Sequence, residues 1–243
     1  MIMINAVFFD LGGVILDNIT FIENHGIELD VKLLKDIGYT FTKKEVGKAL
    51  KKTSDSLEIK YRGSTEKYKE GLFFFLMCKF LGVDICMELA KKKDFEFYET
   101  RLKHSKLLPY AIELLKLLRK RKLKLALITN DSIKAYLGYD RIYRFKKYFD
   151  LVVVSEEIGA EKSALVPLKH ALMKLKLDPK EVVMVGDRMD EDIIAGKKLE
   201  MKTVRVDWKF SRKFKYVDYS EADYVIRNLR ELKPIIESMQ NHN

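Results

Sequence analysis

The chain contains few of the residues that define disulfide-rich, zinc-binding or serine-hydrolase proteins. Its 243 residues include only two cysteines, Cys78 and Cys86, which are too few for a disulfide framework and lack the spacing of metal ligands. We therefore expect both cysteines to be buried apolar side chains, and we expect the protein to occupy a reducing cytoplasm. The four histidines are scattered along the chain, which argues against a zinc site or a Ser-His-Asp arrangement.

Long hydrophobic runs are also absent from the sequence. The longest, residues 72–78, is far shorter than the roughly 20 apolar residues that a membrane-spanning helix needs. The first residues contain no basic region, and Asn5 and Asp10 interrupt their apolar stretch. We therefore expect no signal peptide and no membrane partner. A chain of this length suits one large domain, or a core with a smaller domain.

Positive charge is the strongest compositional bias, with a formal net charge of +10 at pH 7. One dense basic stretch, residues 208–216, interleaves lysine and arginine with aromatic residues, a pattern that can stack on nucleic-acid bases. Lysine and glutamate are nevertheless spread along the whole chain, which is typical of a solvated surface and of thermophilic proteins. We therefore expect no nucleic-acid binding, although a basic surface would help to attract an anionic substrate.

Short apolar strands alternate with amphipathic helices through most of the chain. Strands are predicted at about residues 5–10, 124–129, 150–155, 181–186, 202–206 and 223–226. Strands that alternate with helices imply a parallel sheet with helices on both of its faces. The predicted fold is therefore a doubly wound, mostly parallel α/β sheet of the Rossmann-like type.

Residues 29–104 interrupt this pattern, because they have helical spacing and little strand character. Thr42–Glu45 forms a capping box, which is a signal for the start of a helix. We therefore predict an inserted α-helical cap domain at residues 17–104. The α/β core would then comprise residues 1–16 and 105–243.

Three of the predicted strands end in residues that can react or bind ligands. Asp10, Thr129 and Asp187 each stand at the carboxyl end of a short apolar strand. In open parallel sheets, ligands bind at this edge. Lys162 adds an amine after a short turn, and Asp187 opens a cluster of acidic residues. A carboxylate, a hydroxyl, an amine and an acidic cluster at one edge indicate metal-assisted chemistry on a phosphate.

Four motifs carry these residues, and they occur in a recognisable order. They are FFDLGGV at 8–14, LITND at 127–131, GAEK at 159–162 and VGDRMDED at 185–192. Their order and spacing resemble those of the haloacid dehalogenase superfamily, whose members are mostly phosphatases. The resemblance implies an enzyme, a magnesium-dependent phosphoester hydrolase that acts on a small phosphorylated metabolite through an aspartyl-phosphate intermediate. The predicted cap matches this superfamily only as a helical insertion of suitable size and position.

The resemblance gives Asp10, Thr129 and Lys162 catalytic roles. Asp10 would attack phosphorus and hold it as an aspartyl phosphate. The Thr129 hydroxyl and the backbone N–H of Asn130 would bind the phosphoryl oxygens, although residues 129–132 would equally serve to cap the following helix. Lys162 would neutralise the attacking carboxylate and the phosphate, with Lys169 as the alternative lysine.

Four acidic residues lie within six positions: Asp187, Asp190, Glu191 and Asp192. Acids are favourable near a helix N-terminus, but at this density they repel one another unless a cation lies nearby. Mg²⁺ fits such a site, and we expect it to be bound by Asp10, Asp187 and the backbone carbonyl of Gly12. By the family pattern, Asp192 would act just outside the direct ligands of the ion. Asp190 is the alternative, since the spacing of this motif varies.

Gly12 departs from the family pattern, because phosphatases of this superfamily usually have a second aspartate two residues after the nucleophile. That aspartate protonates the leaving oxygen and later deprotonates the hydrolytic water. One reading is that the proton comes from Asp17, the cap or the substrate, and another is that the substrate has a good leaving group; we favour these two together. The third is a catalytically weakened relative that binds or regulates.

A rival activity with the same fold is that of a metal-independent 2-haloacid dehalogenase. Such enzymes also use an aspartate at a strand end and lack the second aspartate. The acids retained at 187–192 favour phosphate chemistry instead. For the assembly we expect a monomer or a small homo-oligomer.

Overall fold

The computed structural model describes residues 3–207 and 221–241, so the basic segment at 208–216 lies outside the described residues. The described chain divides into two compact units. One contains the chain up to Asp17 and again from Lys106, and the other is Asn18–Ser105. In the described ranges, none of the helices combines the length and the apolar character needed to cross a bilayer. The role of the second unit as a cap stays a prediction.

The strands are, in chain order, β1 (Ala6–Phe9), β2 (Leu16–Asp17), β3 (Lys106–Leu107), β4 (Lys124–Thr129), β5 (Leu151–Val154), β6 (Val182–Gly186), β7 (Lys202–Val206) and β8 (Tyr224–Ile226). Six of them form one sheet in the order β5-β4-β1-β6-β7-β8. Every neighbouring pair in this sheet is parallel, which confirms the predicted α/β fold. The short strands β2 and β3 pair antiparallel, a ribbon that the sequence pattern did not predict.

The helices are, in chain order, α1 (Ile27–Lys35), α2 (Lys43–Tyr61), α3 (Leu72–Phe80), α4 (Met87–His104), α5 (Ala111–Lys120), α6 (Ile133–Tyr143), α7 (Ser155–Ile158), α8 (Val166–Leu175), α9 (Ile194–Lys198) and α10 (Leu232–Asn241). Of those after β3, α5, α8 and α9 pack against the sheet through buried, mostly apolar positions. In α5, for example, the buried positions are Ala111, Leu114, Leu115 and Leu118, the spacing of one helix face.

Strand register determines where the polar strand-end residues emerge. Phe9, the last residue of β1, is level with Leu127 of β4 and Val185 of β6. The central strand β1 is buried along its whole length, as expected of a strand covered on both faces. The residues that follow β1 and β6, together with the last residue of β4, therefore lie at one edge of the sheet.

The second unit is helical, and α1 to α4 enclose an apolar cluster of their own. The predicted capping box opens α2: Thr42 Oγ1 accepts a hydrogen bond from Glu45 N at 3.3 Å, and Glu45 Oε2 accepts one from Thr42 N at 2.8 Å. Cys78 is buried as predicted, but the prediction for Cys86 was wrong, because its side chain is exposed. Cys86 is the N-cap residue of α4, so it lies in a connection between helices and not on a buried helix face.

Asp30 is an acidic residue on the buried face of α1, with 6% of its surface exposed. Burial, reinforced by the negative charge of Asp94, raises the pKa of Asp30 from 3.8 to about 8. The folded chain therefore retains a proton that the unfolded chain releases, so stability falls as the pH rises from about 4 to about 8 and is constant above that range.

We expect Asp30→Asn to raise the free energy of unfolding at pH 7 by up to about 4 kcal/mol, since each pKa unit between 3.8 and 7 is worth about 1.4 kcal/mol. The gain should disappear near pH 3, where Asp30 is protonated in both states. Urea unfolding of both proteins at the two pH values measures it, with the exposed Asp84→Asn as the control. Equal gains for Asp30→Asn at both pH values would contradict the assignment.

Candidate active site

Lys162 is the centre of a buried group of charges at the carboxyl edge of the sheet. Its Nζ lies 2.6 Å from Oδ1 of Asp10 and 2.6 Å from Oδ1 of Asp192. The lysine side chain is 1% exposed, so its charge depends on these two partners, since an unpaired buried charge is strongly unfavourable. The structure thus brings Lys162 to Asp10, whereas Lys169 lies exposed on α8.

A tight turn delivers Lys162 to this position. Gly159, in the left-handed region at φ 76°, closes α7, and Lys162 then begins a single 3₁₀ turn. Leu165, also left-handed at φ 66°, starts α8. The backbone N–H of Lys162 donates a 2.9 Å hydrogen bond to Oδ1 of Asn130. The turn after α7 is therefore tied to the residue that follows β4.

Three carboxylates converge on the same place. Asp10, Asp187 and Asp192 each offer one oxygen, and these oxygens lie within 4.8 Å of one another. Hard oxygen donors of this type suit Mg²⁺. The structure brings Asp192 into this group, whereas the carboxylate of Asp190 lies 3.5 Å from Nε of Arg188.

The electrostatics of this group show an excess of negative charge. Burial raises the pKa of Asp10, although Lys162 opposes the shift, and burial raises the pKa of Asp192 to about 6. The pKa of Asp187 lies well above its usual range because of burial and the charges of Asp10 and Asp192. Burial works against the Lys162 ammonium, but the two carboxylates raise its pKa. The Lys162 ammonium thus faces three carboxylates, and a bound cation would compensate the negative charge that remains.

Gly186 allows Asp192 to approach the end of β6. A Cβ atom at position 186 would lie 2.2 Å from both Cβ and Cγ of Asp192 and 2.3 Å from its Oδ2. No side chain fits this space, because real Cβ contacts are essentially never shorter than 3.0 Å. Glycine is required here by the close approach of a carboxylate.

We expect Gly186→Ala to displace Asp192 and weaken Mg²⁺ binding by about 10–100-fold, the usual cost of disturbing a residue that supports a metal site. Isothermal titration with Mg²⁺ measures this change. Gly47→Ala is the matched control, because a Cβ there makes only an ordinary contact, 3.5 Å from Ile27. A folded Gly186→Ala protein with unaltered Mg²⁺ affinity would contradict the expectation.

Arg188 is a residue to which the sequence analysis assigned no role. Its Nη2 lies 3.2 Å from Oε1 of Glu191, and its backbone N–H donates a 3.0 Å hydrogen bond to Oδ2 of Asp192. Arg188 thus compensates part of the acidic cluster from within the same turn. The sequence does contain a signal for this ion pair. A basic residue stands three positions before Glu191 in an otherwise acidic run, and side chains at this spacing can pair.

Thr129 and Asn130 lie at the end of β4, where they were predicted. Thr129 is 4% exposed. Neither residue caps α6, because the N-cap is Ser132, whose Oγ accepts a 3.1 Å hydrogen bond from Ala135 N. Glu156 Oε2 accepts another, of 2.7 Å, from Ile133 N. Side chains of the protein itself therefore already accept hydrogen bonds from backbone N–H groups at the start of α6.

The turn after Asp10 contains two glycines with different backbones. Gly13 has φ 71°, in the left-handed region that favours glycine, whereas Gly12 is not among the residues with positive φ. A side chain at position 12 therefore meets no backbone strain. Asp17, a candidate proton donor from the sequence, lies on β2 opposite Lys106.

A parallel α/β sheet with a strand-end carboxylate paired to a buried lysine defines a class of hydrolase. Residues 4–199 match the sequence profile of the haloacid dehalogenase-like hydrolases. The chain therefore belongs to this family and is an enzyme of the hydrolase class, which confirms the predicted resemblance.

Named relatives and a solved structure are similar to two thirds or more of the chain. The glyceraldehyde 3-phosphate phosphatase of Methanocaldococcus jannaschii is 30% identical over 240 residues, which cover 98% of this chain and 99% of that protein. The protein of the same name from Methanopyrus kandleri is 30% identical over 174 residues, 68% of this chain and 72% of its own. The crystal structure of a HAD phosphatase from Thermococcus onnurineus has a TM-score of 0.70 and 26% identity, covering 96% of this chain and 98% of that one.

Proposed function

We propose that the protein is a magnesium-dependent phosphatase that hydrolyses a small phosphorylated metabolite through Asp10. The observation that carries this proposal is the position of Lys162, 2.6 Å from the carboxylates of both Asp10 and Asp192. A carboxylate nucleophile and an anionic phosphate repel each other, and a buried ammonium beside the nucleophile reduces that repulsion.

The proposed reaction has two steps. An oxygen of Asp10 forms a bond to phosphorus, and the bond between phosphorus and the ester oxygen breaks, so that the leaving oxygen takes the electron pair. Water then attacks phosphorus, the bond to Asp10 breaks, and inorganic phosphate is released. One water is consumed, and the leaving alkoxide acquires a proton to become an alcohol. The Thr129 hydroxyl, at the end of the neighbouring strand β4, is a suitable donor to the phosphoryl oxygens.

The residues at the site fit a divalent cation. Asp10 and Asp187 would hold it directly, together with the backbone carbonyl of Gly12, because these are hard oxygen donors in a buried group with excess negative charge. Asp192 would support the ion from just outside these direct ligands. When bound, Mg²⁺ would supply positive charge to the phosphoryl oxygens. The structure favours Asp192 over Asp190 for this role, because only Asp192 shares the cluster with Asp10 and Asp187.

The relatives suggest where to look for the substrate. Two archaeal relatives carry the name glyceraldehyde 3-phosphate phosphatase, and one of them matches 98% of this chain. We therefore take glyceraldehyde 3-phosphate as the first substrate to test, within the class of small phosphorylated metabolites. Because Gly12 supplies no acid, the proton for the leaving oxygen must come from another group or from the substrate.

Phosphate release from a panel of esters tests the proposal. The panel contains glyceraldehyde 3-phosphate, other alkyl phosphates, an aryl phosphate and an acyl phosphate, each with Mg²⁺ and with a chelator. We expect phosphate release that requires Mg²⁺. Halide release from a 2-haloacid in the presence of the chelator would favour the dehalogenase instead, and inactivity on both substrate classes would favour a binding or regulatory protein.

A further inference from the structure

Glu156 connects the segment that follows β5 with the segment that follows β4. It stands in α7, and its Oε2 accepts a 2.7 Å hydrogen bond from the backbone N–H of Ile133, the first residue of α6. A carboxylate is a favoured acceptor at a helix N-terminus, and a hydrogen bond to a charged acceptor is stronger than one between neutral groups. The bond is therefore a firm tie between neighbouring loops at the carboxyl edge of the sheet.

The position of Lys162 depends on where α7 is held. α7 is a single turn of four residues, Ser155–Ile158, and Lys162 begins the turn that follows it. An isolated helix of this length is not stable in water, so contacts with other segments must hold α7. In the six-stranded sheet, β5 is an outermost strand beside β4, so the end of β4 is the adjacent strand end that can support α7.

The other contacts of α7 leave Glu156 as its directional anchor. Ile158 packs against the apolar core, but apolar contacts are non-directional. The Ser155 hydroxyl lies 3.5 Å from the carbonyl oxygen of Asp131, which is long for a hydrogen bond. Glu157, the other acid of the same turn, is exposed.

A shift of α7 would disturb the contacts of the Lys162 ammonium. Its Nζ lies 2.6 Å from a carboxylate oxygen of Asp10 and of Asp192. The hydrogen bond from Lys162 N to Asn130 Oδ1 holds the far end of the loop, and Glu156 holds its start. A misplacement of about 1 Å can cost about 10²-fold in rate, even when its cause lies away from the reacting atoms.

We propose that Glu156 is a positioning residue, whose carboxylate anchors α7 to the start of α6 and so holds the Lys162 ammonium between Asp10 and Asp192. This inference rests on the proposed phosphatase function and extends it, because the sequence analysis assigned no role to Glu156. Glu156 acts through Lys162 and not on the substrate.

Four variants separate positioning from a general loss of stability. Glu156→Ala removes the anchor, whereas Glu156→Gln keeps an oxygen acceptor for Ile133 N. Ser132→Ala is the structural control, because the Ser132 hydroxyl accepts a 3.1 Å hydrogen bond from Ala135 N at the same helix terminus. Glu157→Ala controls for the loss of one negative charge from α7. The measurements are kcat and KM on the best ester of the panel with Mg²⁺, and the melting temperature.

For Glu156→Ala we expect kcat to fall by about 10–100-fold, up to the cost of a misplacement of about 1 Å. KM should change less than kcat, because the ammonium compensates charge mainly in the transition state. Glu156→Gln should recover part of the lost kcat. Ser132→Ala should lower the melting temperature, as the loss of an N-cap does, but keep the wild-type kcat, and Glu157→Ala should match wild type in all measurements.

A double-mutant cycle with Lys162→Met provides a second test. Because Glu156 acts through the ammonium, Glu156→Ala should lower kcat much less in the Lys162→Met background than in the wild type. Losses that multiply independently would overturn the proposal. The comparison of Glu156→Ala with Glu156→Gln and Ser132→Ala decides the question without this cycle if Lys162→Met does not fold.

Wild-type kcat in Glu156→Ala, or equal losses of kcat in Glu156→Ala and Ser132→Ala, would overturn the positioning role. A Glu156→Gln protein no more active than Glu156→Ala would overturn the assignment to the hydrogen bond with Ile133. A wild-type protein that hydrolyses no ester of the panel would overturn the proposed function itself, and that measurement precedes any comparison of variants.

Discussion

Replacement of Asp10 by asparagine is expected to reduce phosphate release by about four orders of magnitude or more, because the reaction loses its nucleophile. The amide is close in size to the carboxylate, so the fold should survive. Lys162 keeps Asp192 as a partner at 2.6 Å in this variant, so its buried charge is not left unpaired.

For a direct measurement, the enzyme is incubated with an aryl phosphate radiolabelled at phosphorus, and the reaction is then quenched with acid. Wild-type protein should retain label as an acid-stable aspartyl phosphate, and Asp10→Asn should retain none. Asp55→Asn, which removes an exposed carboxylate paired with Lys51 on α2, controls for the change of charge. Unaltered turnover in Asp10→Asn, or label on that variant, would refute the assignment of the nucleophile.

Replacement of Gly12 by aspartate should increase the hydrolysis of alkyl phosphates by about 10²–10⁴-fold, the usual contribution of a general acid–base. That range corresponds to a barrier lower by about 3–5 kcal/mol. The backbone at Gly12 lies outside the left-handed region, so the backbone conformation does not oppose a side chain there. Aryl and acyl phosphates have better leaving groups and should gain much less.

Comparison with Gly12→Asn separates the effect of the acidic proton from the effect of added side-chain volume. Asparagine adds nearly the same volume but donates no acidic proton, so Gly12→Asn should remain at or below the wild-type rate. Steady-state rates for one alkyl and one aryl phosphate, measured with all three proteins, provide the test. An alkyl phosphatase activity that rises equally in both variants, or in neither, would show that the missing acid does not limit turnover.

The sequence predicted the part of the site that strand register controls. Asp10, Thr129 and Asp187 had to lie together, because parallel strands place their carboxyl ends at one edge, and apolar periodicity located β1, β4 and β6 to within a residue or two. Lys162 was found through the motif around it, since a lysine on a loop has no periodicity that marks it among the chain's many other lysines.

The parts that the sequence did not predict depend on contacts between chain segments or within one turn. The β2–β3 ribbon has two residues in each strand, too few to form a detectable pattern. The choice of Asp192 over Asp190 depends on the conformation of one turn, and the need for glycine at 186 is visible only once Asp192 is beside it. The Arg188 side chain was not assigned because local ion pairs can form in many conformations.

The position of β1 in the sheet also has a consequence for how the protein forms. Ala6 pairs with Lys124 on one side and with Val182 on the other, so both neighbours of this strand come much later in the chain. Contacts between residues so distant in sequence form slowly, because a long loop must close first. During synthesis, β1 therefore stays unpaired until β4 and β6 have been made, whereas the helical unit at Asn18–Ser105 emerges as one continuous segment. The catalytic edge can assemble only after the acidic turn has left the ribosome.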